Sequence, residues 1–94
     1  MLHSVFISYA SPDQKTAFTV CDALKQAGIT SWIAPRDILP SDDYDDAIID
    51  AINHARVMVL IYTSAIFQSK FVKKEVERAN TKGLKIVPFR LDAI

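Results

Sequence analysis

Four short apolar runs, separated by stretches of helical periodicity, constrain this 94-residue chain more than any other feature. The runs cover residues 5–9, 29–34, Val57–Tyr62 and 84–89. The first, third and fourth are nearly continuous in apolar side chains, the pattern of strands buried on both faces of a parallel sheet. Pro88 in the fourth has no N–H to give to a ladder, which an edge position or a bulge accommodates. Between the runs lie three helical patterns. Ser11-Pro12-Asp13-Gln14 reads as a helix start with Ser11 as N-cap, and Ala17, Val20, Cys21 and Leu24 form its apolar stripe up to Gly28. A second helix is expected from near Ser41, with Tyr44, Ala47, Ile48, Ala51 and Ile52 facing inward and carboxylates in the first turn, where the helix dipole favours them. A third is expected from about Ser69 to Lys82, stopped by Gly83.

Strand alternating with helix at this spacing predicts right-handed crossovers and an α/β, doubly wound parallel sheet of the flavodoxin-like type, with strand order 2-1-3-4-5. The chain stops just past its fourth strand, so a domain truncated there is expected. Its length suits one small domain, and at 50% hydrophobic residues it is too apolar to stay disordered. No repeat, linker or signal peptide interrupts the pattern, and the longest apolar run is too short to span a bilayer. Cys21 is the single cysteine, which rules out an internal disulfide and suits a reducing cytosol. The 11 basic and 11 acidic side chains cancel, leaving no global electrostatic case for nucleic acid. They are segregated all the same. Acidic residues crowd positions 37–50 and basic ones positions 70–90, either as two solvated helix faces or as complementary patches on neighbouring copies.

In such a sheet the ligand site lies beyond the carboxyl ends of the strands, where strand order reverses. That selects Tyr9, Ala10 and Ser11, the loop of residues 34–44, and residues 62–64. Several chemistries are excluded there. The two glycines, Gly28 and Gly83, follow helices, so no phosphate-cradling loop exists. A phospho-acceptor receiver would need acids where Ser8-Tyr9 and Thr63-Ser64 stand. His3 and His54 have no partners at metal-ligand spacing, and no metal is expected. Cys21 sits on an apolar stripe and reads as a packed thiol.

The third helix carries an anomaly. At about 100° per residue, Phe71, Val72, Val76 and Ala79 form its inward stripe, and Glu75 falls inside that arc. Glu77 falls on the opposite face among lysines. A carboxylate on the buried side of a helix is costly unless it is hydrogen-bonded, paired or opening to a cleft. Glu75 is therefore either a satisfied structural carboxylate or a catalytic group.

Taken together, FISYAS, WIAPRDILPSDDYDDAI, VMVLIYTSAIFQSKFVKKEVERA and KIVPFRL resemble, in order and spacing, the strands, BB loop and helices of Toll/interleukin-1 receptor (TIR) domains. The wording is most similar to the prokaryotic branch. This resemblance implies an activity, because many prokaryotic and plant TIR domains, and an animal axon-degeneration protein, cleave NAD⁺ at the nicotinamide–ribose bond. Their catalytic glutamate lies in a W-x-x-x-E motif, which here reads Phe71-Val72-Lys73-Lys74-Glu75. The resemblance makes Glu75 the catalytic residue and places Tyr9, Ala10 and Ser11 beside the leaving group. It brings Asp37 and Tyr44 toward the nucleotide, with Arg36 meeting the pyrophosphate or a neighbouring subunit. Tyr44 also begins the second helix's stripe and so reads equally as core, as does Trp32. The family's Pro-Gly in the BB loop is Pro40-Ser41 here, and losing that glycine restricts the backbone.

NAD⁺ would be a substrate, with no separate cofactor. The partners implied are further TIR domains, by homotypic self-association, and a sensor domain on the parent protein, in a cytoplasmic defence or signalling role. Two other classes remain open: a non-catalytic interaction module, which many animal TIR domains are, and an inert fragment of a longer protein.

Overall fold

A computed structural model describes residues 4–90, and His3 lies outside the described residues. It contains strands β1 (Val5–Ser8), β2 (Ser31–Trp32), β3 (Val57–Tyr62) and β4 (Lys85–Arg90), and helices α1 (Gln14–Gln26), α2 (Tyr44–His54) and α3 (Lys70–Thr81). The four strands form one parallel sheet in the order β2-β1-β3-β4, as the alternating pattern predicts. The reversal point falls between β1 and β3, which pair from Val5↔Val57 to Ser8↔Leu60.

Strand alternation sorts the core into two layers. Val5 and Ile7 of β1 join Ile61 and the α1 residues Ala17 and Cys21 on one face. Phe6 and Met58 join Ile48, Ala51 and Ile52 of α2 and Ala79 of α3 on the other. Trp32 stacks on Phe6 with ring centroids 5.2 Å apart, so its packing role holds. Each large apolar side chain buried in these layers contributes about 1.5–3 kcal/mol. Ser8, one position beyond Ile7, shares the face of Phe6 and so points toward α2 and α3 rather than α1.

Four local expectations are corrected. Ser11 caps nothing: Ser11–Asp13 form a single 3₁₀ turn, and α1 begins at Gln14. Asp13 occupies the N-cap without bonding the helix, because its carboxylate accepts the Thr63 hydroxyl. β2 is cut from six residues to two, since the Ile33 N–H leaves the ladder and donates to the Asp37 carboxylate at 2.9 Å. α2 starts at Tyr44 rather than Ser41, with the Asp43 carboxylate accepting the Asp46 N–H as its cap. β4 is a solvent-facing edge strand among the described residues, with Val87 and Phe89 exposed, not a strand covered on both sides. That edge accommodates Pro88. Gly28 and Gly83 end α1 and α3 at φ of 80° and 76°, a region that an L side chain enters only with strain.

Candidate functional site

Glu75 is the centre of the candidate site. Val72 and Ala79 bury the inner face of α3, and Glu75 lies between them in helical phase, half-buried. Its carboxylate does not go unpaired: the Ser8 hydroxyl, fully buried at the carboxyl end of β1, donates to Oε1 at 2.7 Å. Burial raises the Glu75 pKa from 4.5 to about 7, and the Ser8 hydrogen bond pulls in the opposite direction. The group therefore exchanges its proton near neutrality, a property shared by structural and catalytic carboxyls in dry surroundings.

In front of this carboxylate lies a cavity of about 100 Å³ lined by Ile7, Tyr9, Ser11, Ala34, Tyr44, Ser69, Phe71 and Glu75. It sits where the fold rule places a ligand, beyond the end of β1 at the reversal point. Four residues named from sequence, Tyr9, Ser11, Tyr44 and Glu75, thus share one wall. Tyr9 donates its hydroxyl to the Ala34 carbonyl at 2.6 Å, tying the end of β1 to the loop after β2. Its pKa is raised by burial and then by the nearby Tyr44 and Glu75. Tyr44 faces this space and is 47% exposed, so its core reading is corrected: as the first residue of α2 it shares the stripe's phase but stands at the helix end, beside the cavity. Phe71 is likewise no stripe residue. At 61% exposed in the first turn of α3, it stands at the cavity mouth.

Three other expected residues do not line the cavity. Ala10 is buried against Leu60, Ile66 and Val72 and shapes the wall from behind. Arg36 and Asp37 bind each other through two hydrogen bonds of 3.0 and 2.8 Å. Arg36 also donates to the Cys21 thiol at 3.0 Å, and Asp37 holds the Ile33 N–H. This cluster clamps the loop to α1, and the paired carboxylate raises the guanidinium pKa further. Cys21 is buried as expected. Residues 62–64 also stay out of the cavity, with Thr63 engaged by Asp13.

Sequence reasoning did not identify Ser8 and Ser69 as site residues. Ser8 carried a signal: a hydroxyl closing an otherwise apolar strand, on the face that meets α3. Ser69 is the N-cap of α3, accepting the Val72 N–H at 3.2 Å, and reaches the cavity from that position.

A four-stranded parallel sheet, with a half-buried, hydrogen-bonded carboxyl beside a cavity at its reversal point, defines an α/β domain of the doubly wound class. Comparison with known proteins takes this further, since the TIR-domain pattern matches residues 5–94 and the chain belongs to the TIR-domain family. A similar curated protein is the stimulator of interferon genes protein of Magallana gigas, 34% identical over 76 residues. The match covers 80% of this chain and 18% of that protein, so the chain spans under a fifth of the relative's length. Among solved structures, the metazoan TIR-STING receptor from C. gigas superposes with a TM-score of 0.81 at 30% identity, covering 97% of this chain and 31% of that one. The TIR domain of the Toll-related receptor TRR-2 from Hydra magnipapillata gives 0.84 at 23% identity, covering 98% and 74%. Both structures come from metazoans, so the likeness is not specifically to the expected prokaryotic branch. Among the described residues no helix is long and apolar enough to cross a membrane.

Proposed function

We propose that this TIR domain cleaves NAD⁺ at the nicotinamide–ribose bond, with Glu75 as the catalytic carboxylate. The observation that carries the reading is the Glu75 carboxyl itself, held by Ser8 at the end of β1 and opening on the cavity at the reversal point. Helix packing alone has no need of an acid there. Nicotinamide in NAD⁺ is already cationic and leaves neutral, so no general acid has to protonate it. What the protein must supply is negative charge beside the oxocarbenium-like ribose carbon as the bond breaks, and an ionised Glu75 does that in surroundings of low dielectric. Tyr9, Tyr44 and Phe71 offer ring faces to the departing nicotinamide, with Ser11 and Ser69 as polar edges. Ala10 backs this wall. Arg36 and Asp37 act in this reading by holding the loop of residues 34–40, and contact with the nucleotide would require their mutual pair to open. The products are nicotinamide and ADP-ribose or a cyclic isomer, and activity follows self-association in a larger signalling or defence protein with its own sensor.

Leu39 supports a second reading, that of a non-catalytic interaction module. It is an apolar side chain 62% exposed in the loop between β2 and α2. The test is nicotinamide release from NAD⁺ by concentrated protein, with and without a crowding agent, beside Glu75→Gln. Release abolished by the substitution supports the enzyme, release that survives removes Glu75 from the mechanism, and silence of both the chain and its full-length parent favours the interaction module.

A further inference from the structure

A cavity of about 100 Å³ holds a single ring, whereas small-molecule and cofactor pockets run roughly 300–1,000 Å³. The remainder of a dinucleotide needs a second space, and one adjoins the first. A groove of about 440 Å³ runs between α2 and α3. Phe71 and Glu75 line both spaces, so the two are continuous across one exposed phenyl ring and one carboxylate. The floor of the groove is apolar, formed by Ile48, Ile49 and Ile52. Lys74 and Arg78, one helical turn apart on α3, stand on its rim, and Asp45 faces them from the first turn of α2. Both cations are exposed, and neither has a salt bridge among the described residues.

We infer that the α2–α3 groove is the subsite for the adenosine diphosphate half of the substrate. Lys74 and Arg78 bind the diphosphate, Asp45 accepts from ribose hydroxyls, and the isoleucine floor takes the adenine ring. Each part follows from chemistry: phosphate oxygens call for unpaired cations, vicinal hydroxyls for a carboxylate, and a planar base for an apolar wall. The cationic nicotinamide end then lies at Glu75 and the anionic middle of the molecule at Lys74 and Arg78, which stand among the groove's other charged groups, Asp45 and Glu77. This assignment rests on the NAD⁺ reading above and deepens it by naming what selects a dinucleotide over a mononucleotide.

The experiment compares the chain with a Lys74→Ala/Arg78→Ala double variant, whose fold is checked by circular dichroism. Both substituted side chains are exposed, so the fold is expected to survive. ADP-ribose binding is measured calorimetrically, and nicotinamide release is followed from NAD⁺ and from nicotinamide mononucleotide, which lacks the adenosine monophosphate half. The double variant is expected to bind ADP-ribose at least about tenfold more weakly and to lose preference for NAD⁺ over the mononucleotide by a similar factor. Unchanged ADP-ribose affinity, an unchanged preference, or no ADP-ribose binding by the unsubstituted chain would each overturn the subsite. Binding that weakens as expected while the unsubstituted chain and its full-length parent release no nicotinamide supports the subsite and overturns NAD⁺ cleavage, so the two failures are separable.

Discussion

The Ser8 hydroxyl and the Glu75 carboxylate meet at 2.7 Å across 67 positions of sequence, joining the carboxyl end of β1 to the second turn of α3. The contact exists because strand alternation turns Ser8 to the same face as Phe6, and helical phase turns Glu75 inward between Val72 and Ala79. Ser8 is fully buried and lines neither cavity, so it grips the carboxylate from behind while the rest of that group faces the ligand space.

Removing that grip has a directional consequence. In Ser8→Ala the carboxylate loses the one interaction that lowers its pKa, and burial then acts unopposed. A hydrogen bond to a charged group is worth about 1.5–3 kcal/mol, or about one to two pH units. Nicotinamide release at pH 7 should fall about tenfold or more, with partial recovery at higher pH. A loss that is the same at every pH would show that Ser8 does not act through Glu75's ionisation.

Activity should depend on pH in one sense only. The ionised carboxylate is the active form and its pKa is about 7, so kcat/KM is expected to be low below that value and to rise through it. Bound NAD⁺ brings a positive charge beside Glu75 and favours its ionised form, so the midpoint for kcat should lie below that for kcat/KM. A profile falling through neutrality would assign Glu75 a proton-donating role.

Stability should follow the opposite trend. Glu75 has a higher pKa folded than unfolded, so the folded state binds the extra proton and loses stability as pH rises from about 4.5 through about 7. At about 1.4 kcal/mol per unit, the rise from 4.5 to about 7 makes the ionised form cost the fold about 3 kcal/mol above pH 8. Glu75→Gln removes that term, and urea unfolding should find the variant more stable than the parent at pH 8 and nearly equal at pH 4. Equal stability at both pH values would mean that Glu75 is better solvated than its surroundings indicate.

A purely structural check lies at the helix ends. Gly83 closes α3 at a φ of 76°, with open space where a Cβ would sit. Gly83→Ala should therefore cost about 1 kcal/mol through backbone strain alone, read as a lower urea midpoint at constant slope, without altering ligand binding.

Much of this architecture was legible in the residues. Apolar runs and helical stripes predicted the parallel order, the reversal point and the inward phase of Glu75, because both periodicities are local. What stayed hidden depended on competition between side chains. Asp37 taking the Ile33 N–H shortened β2, and Asp43 capping α2 made Tyr44 its first residue, at the exposed helix end. Ser11 was expected to cap α1, whereas Asp13 holds that position and Thr63 draws its carboxylate away from the helix. Ser8 could be placed on a face by alternation, yet its contact with Glu75 depends on how α3 packs across the sheet, which periodicity does not encode. Arg36 was expected at the pyrophosphate or a neighbouring subunit and Asp37 near the nucleotide, whereas their adjacency already allowed them to bind each other.

The bond from Tyr9 to Ala34 has one further consequence. A phenol owns a single proton, and here a backbone carbonyl has claimed it. A molecule entering beside Tyr9 meets an electron-rich ring and oxygen lone pairs, with no donor to offer in return. Such a wall favours guests that are flat and electron-poor, and serves those that bring a proton to donate better than those that need one.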